Sequence, residues 1–177
     1  MNVLGKIAFV AAMAACTNVF GADAAKANLQ VTMLTKVNPQ GLALWDITNA
    51  ALDDNGNVAA SKVKPADWAK LIEIGKALEE GGRTLATSDG IIAAAPGAKL
   101  QDQANAGAST AADVQRYVDA KPAVFRKHAL ELQKTGTGII QAATKHDGKR
   151  LSALSNSLDE VCESCHVIFW YPNQKKP

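Results

Sequence analysis

Apolar residues recur every three or four positions over four stretches of the chain, with polar residues between them. The first stretch covers about 27–53, where Leu34, Val37, Gly41, Trp45, Thr48 and Leu52 step along one helical face. Pro39 falls inside it, so the helix either kinks there or restarts with Asn38 as cap and Pro39 as first residue. The "DDNGN" cluster at 53–57 is a strong stop. The second stretch, 65–87, opens on Pro65, a residue suited to a first helical position, and carries Trp68, Leu71, Gly75, Leu78, Gly82 and Leu85 on one stripe. Its two glycines leave room for a neighbouring helix or a flat ligand to come close. The third covers about 114–145, with Pro122 a second possible start, and places Val124, Phe125, His128, Leu132, Ile139 and Ala143 near one side. The fourth runs from 148 to 169 with Leu151, Leu154, Leu158, Val161, Cys165 and Ile168 in register.

Between the second and third lies "SDGIIAAAPGAKLQDQANAGASTAAD", residues 88–113, an Ala/Gly-rich connector expected to run over the surface with at most a short helix of its own. "KHDG" at 145–148 breaks the last two helices apart. No alternating strand pattern of useful length exists. Four amphipathic helices with two short joints and one long one predict an all-α chain, an antiparallel four-helix bundle.

Composition narrows this picture. A length of 177 residues suits one domain. A net charge of +2 gives no basic face of the kind nucleic acid requires, so no nucleic-acid partner is expected. The segment "MNVLGKIAFVAAMAACTNVFGADA" has one Lys, a ten-residue apolar run and small residues at Ala22 and Ala24. It reads as a secretory signal peptide over 1–24, leaving a mature domain over 25–177. The run is too short to span a bilayer, and no other segment is apolar enough to do so. "MAAC" at 13–16 also loosely resembles a lipobox, which makes a lipid anchor through Cys16 the alternative to simple release. Removing 1–24 takes away one Lys and one Asp, so the charge stays at +2. The mature chain keeps two cysteines, Cys162 and Cys165, and one methionine, Met33.

Both cysteines fall in "CESCH", residues 162–166, the C-x-x-C-H pattern of c-type haem attachment. On a helix, positions i, i+3 and i+4 share a face, so Cys162, Cys165 and His166 project together. Two thiols there can add to the two vinyl groups of one porphyrin edge, with His166 as proximal ligand to the iron. The competing chemistries fit less well. A thioredoxin-type dithiol sits at a helix N-terminus and near a βαβ pattern, whereas this one lies near a helix C-terminus, where the dipole disfavours thiolate. A zinc site could draw on Cys162, Cys165, His128 and His146, but a second closely spaced ligand pair is missing. A disulfide is permitted in an exported chain, yet it would close a tiny loop and leave His166 without a role.

An export signal, four helices and C-x-x-C-H in the last helix resemble the class II c-type cytochromes, that is, cytochrome c′ and its low-spin, Met-ligated relatives. The resemblance covers the layout of the whole mature chain and rests on "CESCH" and on Phe169, three positions beyond His166. It implies a periplasmic bundle, often homodimeric, carrying one covalent haem c and serving redox partner proteins or binding small gases. In the low-spin relatives a first-helix Met closes the sixth iron position, and Met33 lies on the predicted first helix. Leu34 and Val37 are then apolar neighbours of the haem, and Phe169 packs on the porphyrin. The implied role is electron transfer, with Met33 as sixth ligand. The alternative is a five-coordinate protein of the cytochrome c′ type that binds NO or CO. A peroxidase would need a distal acid–base group, and the first helix holds no His, Glu or Arg near Met33. Many members carry an Arg one turn before the first-helix contact, where this chain has Leu29 and Gln30.

Overall fold

A computed structural model describes residues 26–105 and 107–172. The expected signal peptide and Cys16 lie outside them. The described chain is mostly helical, with two short strands. In order it runs β1 (Ala27–Asn28), α1 (Leu29–Thr32), a π-helical turn (Met33–Val37) and α2 (Asn38–Ala50). A 3-10 turn (Ala60–Lys62), α3 (Pro65–Thr87), β2 (Ile91–Ile92), α4 (Ala111–Ala120), α5 (Pro122–Thr144) and α6 (Gly148–Phe169) follow. No described helix is long and apolar enough to cross a membrane.

Local chemistry explains the boundaries. Asn28 caps α1 by accepting from the Val31 N–H, and Asp147 caps α6 by accepting from the Arg150 N–H. Thr110 and Asp113 form a reciprocal capping box at the start of α4. Pro65 and Pro122 each sit in the first turn of a helix, where a missing N–H costs nothing. The third periodic stretch is therefore two helices. Lys121, in a non-helical conformation, and Pro122 divide it.

The first stretch departs from its pattern in another way. Pro39 does not break the helix. The preceding turn widens instead, and the Asn38 N–H donates to the Met33 carbonyl five residues back. A regular turn would drive the Pro39 ring against the carbonyl four residues earlier, so the extra width relieves that clash. The wider turn also shifts everything before it by one position. Val37, Gly41 and Thr48 are buried as the pattern requires, with Leu44 buried beside a partly buried Trp45, but Leu52 at the far end is exposed. Before the turn it is Thr32 that is buried, while Leu34 is 49% exposed.

The long helices pack antiparallel in pairs. Gly75 of α3 meets Gly136 and Ile140 of α5, while Gly82 meets Ala129 and Gln133. Gly138 of α5 meets Leu154 of α6, and Phe125 stacks edge-on with Phe169 at 5.4 Å. Gly41 of α2 approaches Leu158 of α6, and buried Thr48 and Ser155 exchange a hydrogen bond of 3.2 Å. The α3–α5 pair is the tightest. A Cβ on Gly82 would lie 2.4 Å from the Gln133 nitrogen, so the small residues on the α3 stripe serve close backbone approach.

Two apolar clusters result. One is built on Leu44, Leu71, Leu78, Ile139, Leu151 and Leu158, all fully buried, each contributing about 1.5–3 kcal/mol by leaving water. The other gathers Ala27, Leu85, Ala93, Val114, Val118, Phe125 and Phe169. Met33 packs against both. Trp45 and Trp68 belong to the first cluster, with the Trp45 indole N–H donating to the Ser155 carbonyl and Trp68 stacked on His146 at 4.6 Å.

Candidate functional site

A largely apolar cavity opens where the two clusters meet. Along α6, Val161, Cys162, Cys165 and His166 are half-buried, whereas Leu158 before them and Phe169 after them are fully packed. The last helix thus carries a stretch that no other helix covers completely. Cys162, Cys165 and His166 all face this cavity, as the i, i+3, i+4 spacing requires. Met33, Leu34 and Val37 line it from the first helical segment, and Phe169 lines it beside Trp170. Every residue the sequence assigned to the haem site therefore borders one space, including a methionine more than a hundred positions from the cysteines.

Both thiols are free. Burial pushes Cys162 up to about 11, with the Asp159 carboxylate adding to the effect. Burial pushes Cys165 up to about 12, helped by its proximity to Cys162 and Glu131. A raised pKa means less thiolate at neutral pH, so this pair lacks the acidic thiol of a thioredoxin-type motif. With both cysteines free, iodoacetamide alkylation should be slow at neutral pH and accelerate only as the pH climbs towards about 11. Fast alkylation at neutral pH, followed by mass spectrometry, would contradict this placement.

His166 is moved the other way. Burial disfavours its imidazolium and lowers its pKa, against a weaker upward pull from Glu163. The neutral ring keeps a nitrogen lone pair free for a metal. Trp170 meets the ring edge-on at 4.7 Å and Tyr171 lies 5.7 Å away, with the Tyr171 hydroxyl donating to Glu163. Burial and that hydrogen bond hold the Tyr171 phenol protonated, at about 12.

His128 also borders the cavity, from α5. Its Nδ1 lies 3.4 Å from the Ser164 hydroxyl and 3.5 Å from a Glu131 carboxylate oxygen. His146 stands apart, in a left-handed conformation over Trp68. No three His, Cys, Asp or Glu side chains among the described residues converge as metal ligands, so the four residues of the zinc alternative are not brought together.

Part of the cavity wall comes from residues the periodic pattern left out. Ala93, Leu100 and Gln101 of the connector line it, as does Val114 of α4. The connector runs over the surface as expected, but Ala93, Leu100 and Gln101 also close part of the cavity. No protein-family model, curated protein or solved structure matches the chain.

Proposed function

We propose that the chain is an exported, periplasmic electron carrier of the class II c-type cytochrome kind, with one covalent haem c held by an antiparallel four-helix bundle. The first helical segment with α2, then α3, α5 and α6, would be its four members. The observation that carries the reading is the convergence of Cys162, Cys165, His166 and Met33 on one apolar cavity. The residues present fit the group: two free thiols and a neutral imidazole share a helix face, and a thioether enters from another segment.

In this reading Cys162 and Cys165 would hold the haem through thioethers, and His166 and Met33 would ligate its iron. Leu34, Val37 and Phe169 pack against the ring and keep water from it. The haem supplies reversible one-electron exchange at its iron. Burial and a thioether ligand both favour the reduced state, which raises the potential. Docking to a redox partner protein would then be weak, over a small interface.

Optical and EPR spectra of the purified protein test the assignment. A low-spin ferric spectrum with the far-red methionine–iron band is expected, and Met33→Ala should convert it to high-spin. A high-spin ferric spectrum in the unaltered protein would instead place it with the five-coordinate NO- and CO-binding proteins. An unchanged low-spin spectrum in Met33→Ala would remove Met33 from the iron.

A further inference from the structure

The connector is held in two unequal halves. Its first half is stitched down. The Ala27 N–H donates to the Gly90 carbonyl at 2.9 Å and the Gln30 N–H to the Ala93 carbonyl at 3.0 Å. Ala27 and Asn28 pair in parallel with Ile91 and Ile92. From the other side, Gln115 of α4 grips the same segment twice. Its side-chain oxygen accepts from the Ala93 N–H at 2.8 Å, and its amide nitrogen donates to the Ile91 carbonyl at 3.0 Å. Ala93 is 2% exposed.

The second half, residues 94–105, is held differently. Its other hydrogen bonds are internal, as in the turn where Leu100 and Gln103 bond to each other. Among the described residues, one hydrogen bond ties this half to the helices: the Gln30 side-chain amide donates to the Lys99 carbonyl at 2.8 Å. The next residue, Leu100, packs into the second apolar cluster and lines the cavity. Gln30 stands one turn before Met33, so the bond fixes Leu100 beside the segment that carries Met33.

We propose that residues 94–105 form a strap over the Met33 side of the cavity, with Leu100 as its plug and Gln30 as its latch, and that the latch limits which molecules reach the iron. The inference rests on the haem reading for its consequence, but the strap itself does not. Release of one ordinary hydrogen bond frees Leu100 to swing out while Ala93 and the strand pair stay in place. Gln30 is a positioning residue here, acting through the strap. A small diatomic passes a briefly lifted plug, whereas a ring-sized ligand needs the strap open.

The test compares Gln30→Ala with the unaltered full chain, each also made with Met33→Ala so that the sixth iron position is open to added ligands. Losing a hydrogen bond of ordinary strength should raise the open population about fivefold. The association rate of imidazole with the ferric protein should rise by about that factor, and that of CO with the ferrous protein should rise much less. Gln30→Glu, which cannot donate an amide proton, should behave like Gln30→Ala. Equal imidazole rates in all three proteins would overturn the gate. Hydrogen exchange reads the strap without reference to haem. Faster exchange at Leu100 and Gln103 in Gln30→Ala, with α3 and α5 unchanged, supports the latch, and unchanged exchange at Leu100 and Gln103 refutes it. Intact mass, which reports covalent haem separately, keeps a failure of the haem reading distinct from a failure of the strap.

Discussion

Replacing Cys162 and Cys165 together by Ser should yield a chain with no covalent haem. A serine hydroxyl is close to a thiol in size, so the half-buried helix face that carries it changes little. The expected stability cost is about 1 kcal/mol per site, in the ordinary range for a point substitution. The chemistry is lost outright, because a hydroxyl does not add to a vinyl group as a thiol does. Each single variant should keep one thioether. Intact mass and haem staining after denaturing electrophoresis separate the three cases. Any covalent haem retained in the double variant would move the attachment elsewhere and sink the proposed function. Haem held without covalent bonds, through His166 and the apolar walls, would be consistent with it.

Gly136→Ala should be among the most damaging small changes in the helical core. A Cβ there would stand 2.4 Å from the Glu79 nitrogen, 2.6 Å from the Gly75 carbonyl oxygen and 2.9 Å from the Glu79 Cα. All three are backbone atoms of α3, so no side chain can rotate out of the way. The two helices must move apart along the tightest seam in the molecule. Overpacking of this kind costs about 3 kcal/mol, and the better helix propensity of Ala returns about 1. A net loss of about 2 kcal/mol corresponds to a fall of roughly 4–8 °C in Tm for a chain of this size. Gly41→Ala is the control. Its Cβ would meet its nearest atoms, in the Trp45 ring, at 3.6 Å, which is ordinary contact. Its effect should be neutral or slightly stabilising. Thermal unfolding of the two variants checks the pair, and equal Tm values would mean that the α3–α5 seam is looser than described.

Gly136 shows how far sequence reading reached. It falls four positions after Leu132 and three before Ile139, on the stripe already drawn for that helix. The stripe passed over that position without naming it, although its small size is the same kind of signal of a close neighbour that Gly75 and Gly82 gave on the second stretch. Which helix the neighbour would be is not a local property. The helices α3 and α6 were legible end to end because Pro65 and the Asp147 cap are local signals. The split at Lys121 and Pro122 was half legible, since a proline can open a helix or interrupt one. In the site, "CESCH" was legible because its three functional side chains sit within five positions on one helix. Leu100 and Gln30 were not. A single apolar residue in an Ala/Gly-rich connector has no period, and a glutamine that bonds to a carbonyl 69 positions away leaves no mark in its own neighbourhood. Leu34 was placed on the inner stripe because an even helical step was assumed through Pro39, and that step is where the widened turn intervenes.

That turn has the form of a single inserted residue. Upstream of it, any position-by-position comparison with an uninterrupted first helix runs one residue out of register, equivalent to about 100° of rotation. The stretch ahead of Met33 and the stretch beyond Val37 therefore answer to different partners, the connector and Gly81 of α3 for the first, α6 and the shared core for the second. One helix serves two rotational phases, which an unbroken α-helix could not satisfy together.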